Sequence, residues 1–213
     1  MASVVVPDLH GCPQFLEWAS LRFQGRSLIL LGDLINRGPD SRRVLRLALQ
    51  LARERRATLL WGNHETYLWD NTAKFKPPAQ ERWLRAHASD LLHSYGGNSK
   101  ALMQDLTEFA LFARSYAVEG EMLCAHAARP SFGRSAGDLL DQGYLTDRPS
   151  MGLHPLPTHL FPELRYSVHG HTVMREPVVD LDGAGVVYLD LGSAKTGRFC
   201  VWDAESKQVV RYP

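Results

Sequence analysis

The chain has 213 residues, 45% of them hydrophobic, which is enough for one domain (1–213) with a substantial core and does not require two. Its 24 Lys and Arg against 23 Asp and Glu leave a formal net charge of +1, so composition gives no general attraction to nucleic acid or an anionic membrane, and neither partner is expected. The three cysteines, Cys12, Cys124 and Cys200, are odd in number and form no CxxC pair, which argues against a disulfide framework or thiolate zinc site and for a reducing cytoplasm. Met1 to Val6 lacks a basic segment and meets Pro7 and Asp8 too early for a signal peptide, and no apolar run approaches the ~20 residues of a membrane span. A cytoplasmic protein is expected.

Val4 to Val6, Ser27 to Leu31 and Thr58 to Trp61 are short apolar runs of the kind that form strands buried on both faces. Each ends at a polar island: Asp8-Leu9-His10-Gly11, then Gly32-Asp33 with Asn36-Arg37-Gly38, then Gly62-Asn63-His64-Glu65. Between the second and third, Asp40 can cap a helix on which Val44, Ala48 and Leu51 recur at helical spacing. The arginines from Arg53 to Arg56 read as its solvated end, where cations suit the dipole. Lys74 to Pro78 reads as loop, Glu81 to Leu92 as a polar and aromatic helix, Gly96-Gly97 as a breaker and Ser99 to Ala113 as another helix. This segment, about 74–113, is expected to form a small helical cap beside the site.

Tyr116 to Val118 and Met122 to Ala125 read as a hairpin that delivers His126. The tail offers strands at Tyr166 to Val168, Val178 to Leu181, Val186 to Leu191, Arg198 to Trp202 and Gln208 to Tyr212, with Gly170-His171-Thr172 after the first of them. A parallel α/β half followed by an antiparallel half predicts two sheets packed face to face with helices outside.

Asp8 and His10, two apart at a strand end, are expected to face one way and grip one metal ion. Asp33 follows a glycine, and its carboxylate can place one oxygen on each of two metals. Asn63 is a neutral oxygen ligand suited to the second metal, which His126 and His171 would complete. His87, His93, His154 and His159 are read as ordinary core or surface imidazoles, and Glu65 as a residue that fixes its loop. His169 would share a strand face with His171 but is read as outside the ligand set.

The series DxHG, GDLxxRGPxS, GNHE, a lone His after a strand, and GHT resembles the phosphoprotein phosphatase branch of the calcineurin-like metallophosphoesterases, most closely the small bacterial and lambda-phage type. The resemblance runs from Asp8 through Gly192. It implies an α/β fold of two mixed sheets packed as a sandwich flanked by helices. It also implies a first metal held by Asp8, His10 and Asp33 and a second held by Asp33, Asn63, His126 and His171. The ions would be Mn²⁺, with Fe, Zn, Ni or Co as substitutes. The activity implied is a phosphomonoesterase of the serine/threonine protein phosphatase type, also acting on small aryl phosphates, in which the metals turn a bridging water into hydroxide for in-line attack. Its substrate would be a phosphorylated protein or a small phosphoester or nucleotide.

Arg37 is then placed for bidentate contact with phosphate, Asn63 donates to the same group, and His64 is the candidate general acid. Arg148, with Arg129 as its competitor, corresponds to a second phosphate-binding arginine. Eukaryotic-type relatives carry Asp three residues after the bridging Asp, where this chain has Asn36. That departure, together with the Gly32 to Pro39 stretch, also resembles the symmetrical diadenosine tetraphosphatases. A dinucleoside polyphosphate hydrolase is therefore the alternative, with Trp69, Phe75 and Trp83 as candidates to line a base groove. A non-catalytic module that binds phosphorylated partners is the remaining one.

Overall fold

The computed structural model describes residues 2–213. Three hydrophobic strands, β1 (Val4–Val6), β2 (Leu28–Leu30) and β3 (Ala57–Leu59), lie parallel and are joined by α1 (Pro13–Arg22) and α2 (Ser41–Arg53). The side chain of Asp40 accepts from the Arg43 backbone N–H and caps α2. The chain then builds four helices: α3 (Asn63–Thr72), α4 (Pro77–His87), α5 (Ser89–Ser94) and α6 (Ser99–Phe112). Arg53 at the end of α2 forks onto Glu108 of α6 with two 2.6 Å bonds.

The second half supplies β4 (Tyr116–Glu119), β5 (Met122–Ala125), the short α7 (Gly143–Thr146), β6 (Tyr166–His169), β7 (Val178–Asp180), β8 (Val186–Tyr188), the short α8 (Ser193–Thr196), β9 (Cys200–Asp203) and β10 (Gln208–Arg211). One sheet has the order β10-β9-β1-β2-β3 and the other β4-β5-β6-β8-β7. Both sheets are therefore mixed. β5, β6 and β8 run parallel, and the last hairpin, β9–β10, joins the first sheet by pairing β9 antiparallel to β1. The expectation of a parallel half followed by an antiparallel half is corrected accordingly: β5, β6 and β8 are linked by long excursions rather than by tight turns.

Alternation along the strands sorts the core into layers. Val4, Val6, Leu28 and Leu30 face the helices and pack with Phe15, Leu45, Leu49, Leu102 and Phe109. Val5 and Ile29 face inward and meet Val168, Val187 and the fully buried Trp202 between the sheets. Leu102, Met103, Leu106 and Phe109 of α6 belong to the main core, so this helix is a structural layer, while α4 and α5 reach toward the polar end of the strands. The three cysteines are free and buried. No described helix is long and apolar enough to cross a membrane.

Arg26 ties the start of β1 to the end of β9. It donates to the Ala2 and Ser3 carbonyls and, at 2.8 Å, to Asp203 Oδ1. This partner holds the Asp203 carboxyl down at about pKa 2. A depressed carboxylate stabilises the fold above its unfolded pKa, near 4, and loses that contribution as pH falls through its folded value. Asp203→Asn should lower stability by about 1–2 kcal/mol at neutral pH, the low end for a hydrogen bond to a charged group at a partly solvated site. In thermal melts the gap from the parent should close between about pH 4 and pH 2. A gap that stays constant with pH would show that the ion pair is not its source.

Candidate active site

Six parallel strands, three in each sheet, end on the same edge of the sandwich, and each is followed by a polar side chain. Asp8 and His10 follow β1, Asp33 follows β2, Asn63 follows β3, His126 follows β5, His171 follows β6 and Asp190 follows β8. Crevices at the carboxyl ends of strands are where open α/β sheets hold ligands. The backbone there departs from regular geometry. His10, Asp33, Asn36, Arg37 and His171 take positive φ values of 43, 50, 68, 67 and 61°. Such conformations cost of order 1–3 kcal/mol each and persist only where the surroundings enforce them. For Asp8 and His10 this corrects the sequence argument: β1 ends at Val6, and the turn at His10, not strand alternation, brings the pair together.

The loop after β2 is fixed by Glu65, which is fully buried. Its Oε2 accepts from the N–H groups of Asp33 (2.8 Å) and Gly62 (3.2 Å), and its Oε1 from those of Leu34 (2.8 Å) and Ile35 (3.2 Å). Gly32 and Gly62 lie so close that a Cβ on either would strike the other loop's backbone.

Two overlapping groups of potential ligands share Asp33: His10, Asp33 and His64, and Asp33, His126 and His171. His126 Nδ1 lies 2.9 Å from the Leu31 carbonyl and donates to it, so its Nε2 carries a lone pair. That lone pair faces Asn63 Oδ1 at 3.0 Å and His171 Nδ1 at 3.2 Å, and Asn63 Oδ1 lies 3.0 Å from His171 Nδ1. Asp33 Oδ1 is 3.5 Å from the same Nε2. Acceptors converging on one point are the arrangement a cation resolves.

On the other side, His10 Nδ1 donates to the Ile35 carbonyl at 3.1 Å, which turns Nε2 toward Asp33 Oδ2 (3.6 Å) and Asp8 Oδ2 (3.9 Å). Asp8 Oδ2 is buried without any hydrogen-bond partner. An orphaned carboxylate oxygen of this kind is costly unless a positive ion completes it. By these tests the residues present fit two divalent ions.

The electrostatics agree. Burial raises the Asp8 and Asp33 carboxyls well above the usual range, with Asp190 and Asp33 adding to it at Asp8 and Glu65 and Asp190 adding to it at Asp33. Burial likewise depresses His126 well below its ordinary value, His10 to about 3 and His64 to about 4, with Arg37 a secondary cause for the last two. Asp190 was not anticipated from the sequence. It is 1% exposed, accepts from the Gly192 N–H at 2.7 Å, and obeys the same rule as the others, a polar residue where an apolar strand ends. Its signal was hidden because Val186 to Leu191 reads as one continuous strand, whereas β8 stops at Tyr188.

Arg37 lies over the cluster on its solvent side: Nη1 donates to His10 Nε2 at 2.7 Å and Nη2 to His64 Nε2 at 3.2 Å. The side-chain amide of Asn36 sits 2.8 Å from His64 Nδ1. Arg148 lies near enough to His171 to be, after burial, the leading cause of its lowered pKa. Arg129, its competitor, is elsewhere. It is 5% exposed and spent on Ser167 Oγ and the carbonyls of His154, Ala184 and Gly185. His169 is also outside the cluster, with its ring nitrogens on the Ala125 carbonyl (3.0 Å) and Ser167 Oγ (2.9 Å).

A family model described as calcineurin-like phosphoesterase matches residues 1–175. A symmetrical bis(5'-nucleosyl)-tetraphosphatase of Vibrio cholerae is 30% identical over 189 residues, covering 82% of this chain and 68% of that relative. An asymmetrical bis(5'-nucleosyl)-tetraphosphatase of Oceanobacillus iheyensis is 32% identical over 72 residues, 28% of this chain, and the match spans only 29% of that relative's length. Among solved structures, a candidate diadenosine tetraphosphatase superposes with a TM-score of 0.65 at 20% identity, covering 99% of this chain and 92% of its own. At that identity the likeness shows a shared fold.

Proposed function

Because the chain belongs to the calcineurin-like phosphoesterase family, whose members use a dinuclear divalent metal centre, we propose that it hydrolyses a phosphoanhydride of a dinucleoside polyphosphate, with symmetrical cleavage of diadenosine tetraphosphate to ADP as the leading case. The observation that carries this reading is the position of Arg37. It lines two cavities that have no other residue in common, one of about 330 Å³ on the His64 side and one of about 390 Å³ on the His10 side that includes Lys195. A phosphomonoester carries a substituent on one side of its phosphorus, whereas an internal phosphoanhydride carries one on each.

In this reading the ions belong with Asp8, His10 and Asp33, and with Asp33, Asn63, His126 and His171. When bound, they supply Lewis acidity that acidifies water and offsets phosphoryl charge, with Mn²⁺ the expected pair. Arg37 presents its planar fork to the phosphoryl oxygens, and Asn63 and Arg148 add donors to the same group.

In this reading His64, with Nε2 3.2 Å from Arg37 Nη2 and 3.8 Å from Asp33 Oδ2, is the group that would face the leaving group. Its partner Asn36 is uncharged and cannot stabilise an imidazolium, so the pair is poorly suited to protonating an alkoxide. A nucleoside diphosphate leaves readily as an anion and makes no such demand. This argument, with the nucleotide-cleaving relative that covers most of the chain, ranks the nucleotide reading above a phosphoserine or phosphothreonine substrate.

The test is kcat/KM for diadenosine tetraphosphate against a phosphoserine peptide on Mn²⁺-loaded enzyme. The nucleotide should be preferred, and Asn36→Asp should raise peptide turnover by at least about tenfold while moving nucleotide turnover less. Preference of the parent enzyme for the peptide would return the chain to the protein phosphatase reading.

A further inference from the structure

The cavity on the His64 side has a wall that phosphoryl chemistry does not need. α3 carries His64 and, one turn on, Tyr67, while α4 carries Trp83 and, one turn on, His87. Pairs three and four apart share a helix face, so each helix offers two rings to the same gap. The ring centroids of Tyr67 and Trp83 are 5.8 Å apart, and those of Trp83 and His87 are 5.0 Å apart. Tyr67 is 59% exposed although it is one of the larger aromatic side chains, so it is not there to fill the core. Asp90, at the start of α5, contributes a carboxylate to the same cavity, whose remaining polar lining includes Arg37 and His64.

The geometry points to a nucleoside subsite for the leaving group: a slot in which a purine stacks on the exposed face of Tyr67 and meets the Trp83 ring, tilted by 53°, at its edge, while Asp90 accepts from ribose hydroxyls. Its volume lies at the small end of the range for ligand pockets, which suits one base and sugar with the phosphates outside it, against Arg37. Stacking on exposed aromatic faces tolerates any base but favours the larger purine surface. The sequence had offered Trp69, Phe75 and Trp83 for such a groove. Trp69 instead packs 6.2 Å from Trp61 and lines a separate cavity of about 920 Å³ between α4 and α6, and Phe75 is part of neither cavity.

This assignment rests on the dinucleotide reading of the same site, and the experiment separates the two. Binding of ADP and of inorganic pyrophosphate is measured by calorimetry on the parent chain, Tyr67→Ala and Trp83→Ala, with Trp83→Phe included in case the truncation disturbs folding. Steady-state kinetics on diadenosine tetraphosphate accompany it. Loss of one stacking face should weaken ADP about tenfold and leave pyrophosphate where it was, with Trp83→Phe close to the parent. In kinetics KM for the dinucleotide should rise about tenfold while kcat changes little.

Equal weakening of ADP and pyrophosphate, or no change in either, would overturn the slot. If the parent chain shows no turnover of diadenosine tetraphosphate, the proposed function fails by itself, and the slot is still decided by the ADP to pyrophosphate ratio. A parent chain that binds the two probes equally, or a phosphotyrosyl peptide that depends on Tyr67 and Trp83 where ADP does not, would also overturn it.

Discussion

Asp33→Asn should leave a folded protein with less bound metal and little turnover. The carboxylate is the only side chain common to both ligand groups, with Oδ2 3.6 Å from His10 Nε2 and Oδ1 3.5 Å from His126 Nε2. Removing one partner from a buried charge pair costs about 3–5 kcal/mol, or roughly 10²–10⁴-fold in affinity for a cation held there. The amide keeps the shape, and its oxygen can still accept from the His64 N–H, now at 3.0 Å from Oδ1. The metal-free variant should melt at a higher temperature than the metal-free parent, because one of the buried carboxylates that repel Asp8 and Asp190 has gone. Metal content by elemental analysis, kcat/KM, and melting in chelator check the three parts separately. A variant that remains active with its full metal complement would sink the shared-ligand arrangement.

The cluster of candidate ligands was legible because each member obeys a local rule: an apolar strand ends and a polar side chain follows it. What the rule could not supply was long-range pairing. β9 sits beside β1, with Val5 opposite Trp202, and nothing in Cys200 to Asp203 marks which sheet it joins. Besides the one-turn α7 and α8, two longer helices were also missed, for local reasons. α3 begins inside the Gly62 to Glu65 island, capped by a glycine that has no side chain to signal it, and its buried positions are only Glu65, Leu68 and Thr72. α1 starts after Cys12, which makes no side-chain cap, leaving Pro13 as the one start signal. The same facing problem misplaced the aromatic residues. Tyr67 and Trp69 are two apart on α3 and so point to different sides, one toward the cavity and one toward Trp61. Composition could count the rings but not choose between them.

Glu65→Gln should be among the most damaging conservative changes, although Glu65 contributes no atom to either ligand group. Both carboxylate oxygens are used twice, and all four donors are backbone N–H groups of the two loops that carry Asp33, Asn63 and His64. An amide keeps one acceptor oxygen and turns an NH₂ toward two N–H groups, so two buried donors lose their partner. At about 1–3 kcal/mol for each unsatisfied group, the cost is roughly 2–6 kcal/mol, against a total of about 5–15 kcal/mol for a typical fold. The loss is not confined to stability. Asp33 holds a left-handed backbone with φ of 50°, and the bond from its own N–H to Glu65 is part of what enforces it. Urea unfolding should therefore show a lower midpoint, and the fraction that remains folded should bind metal more weakly than the parent. A Glu65→Gln variant with parental stability and parental metal content would mean that the two loops hold their shape without the carboxylate, and that the strain at Asp33 is carried by the chain on either side of it.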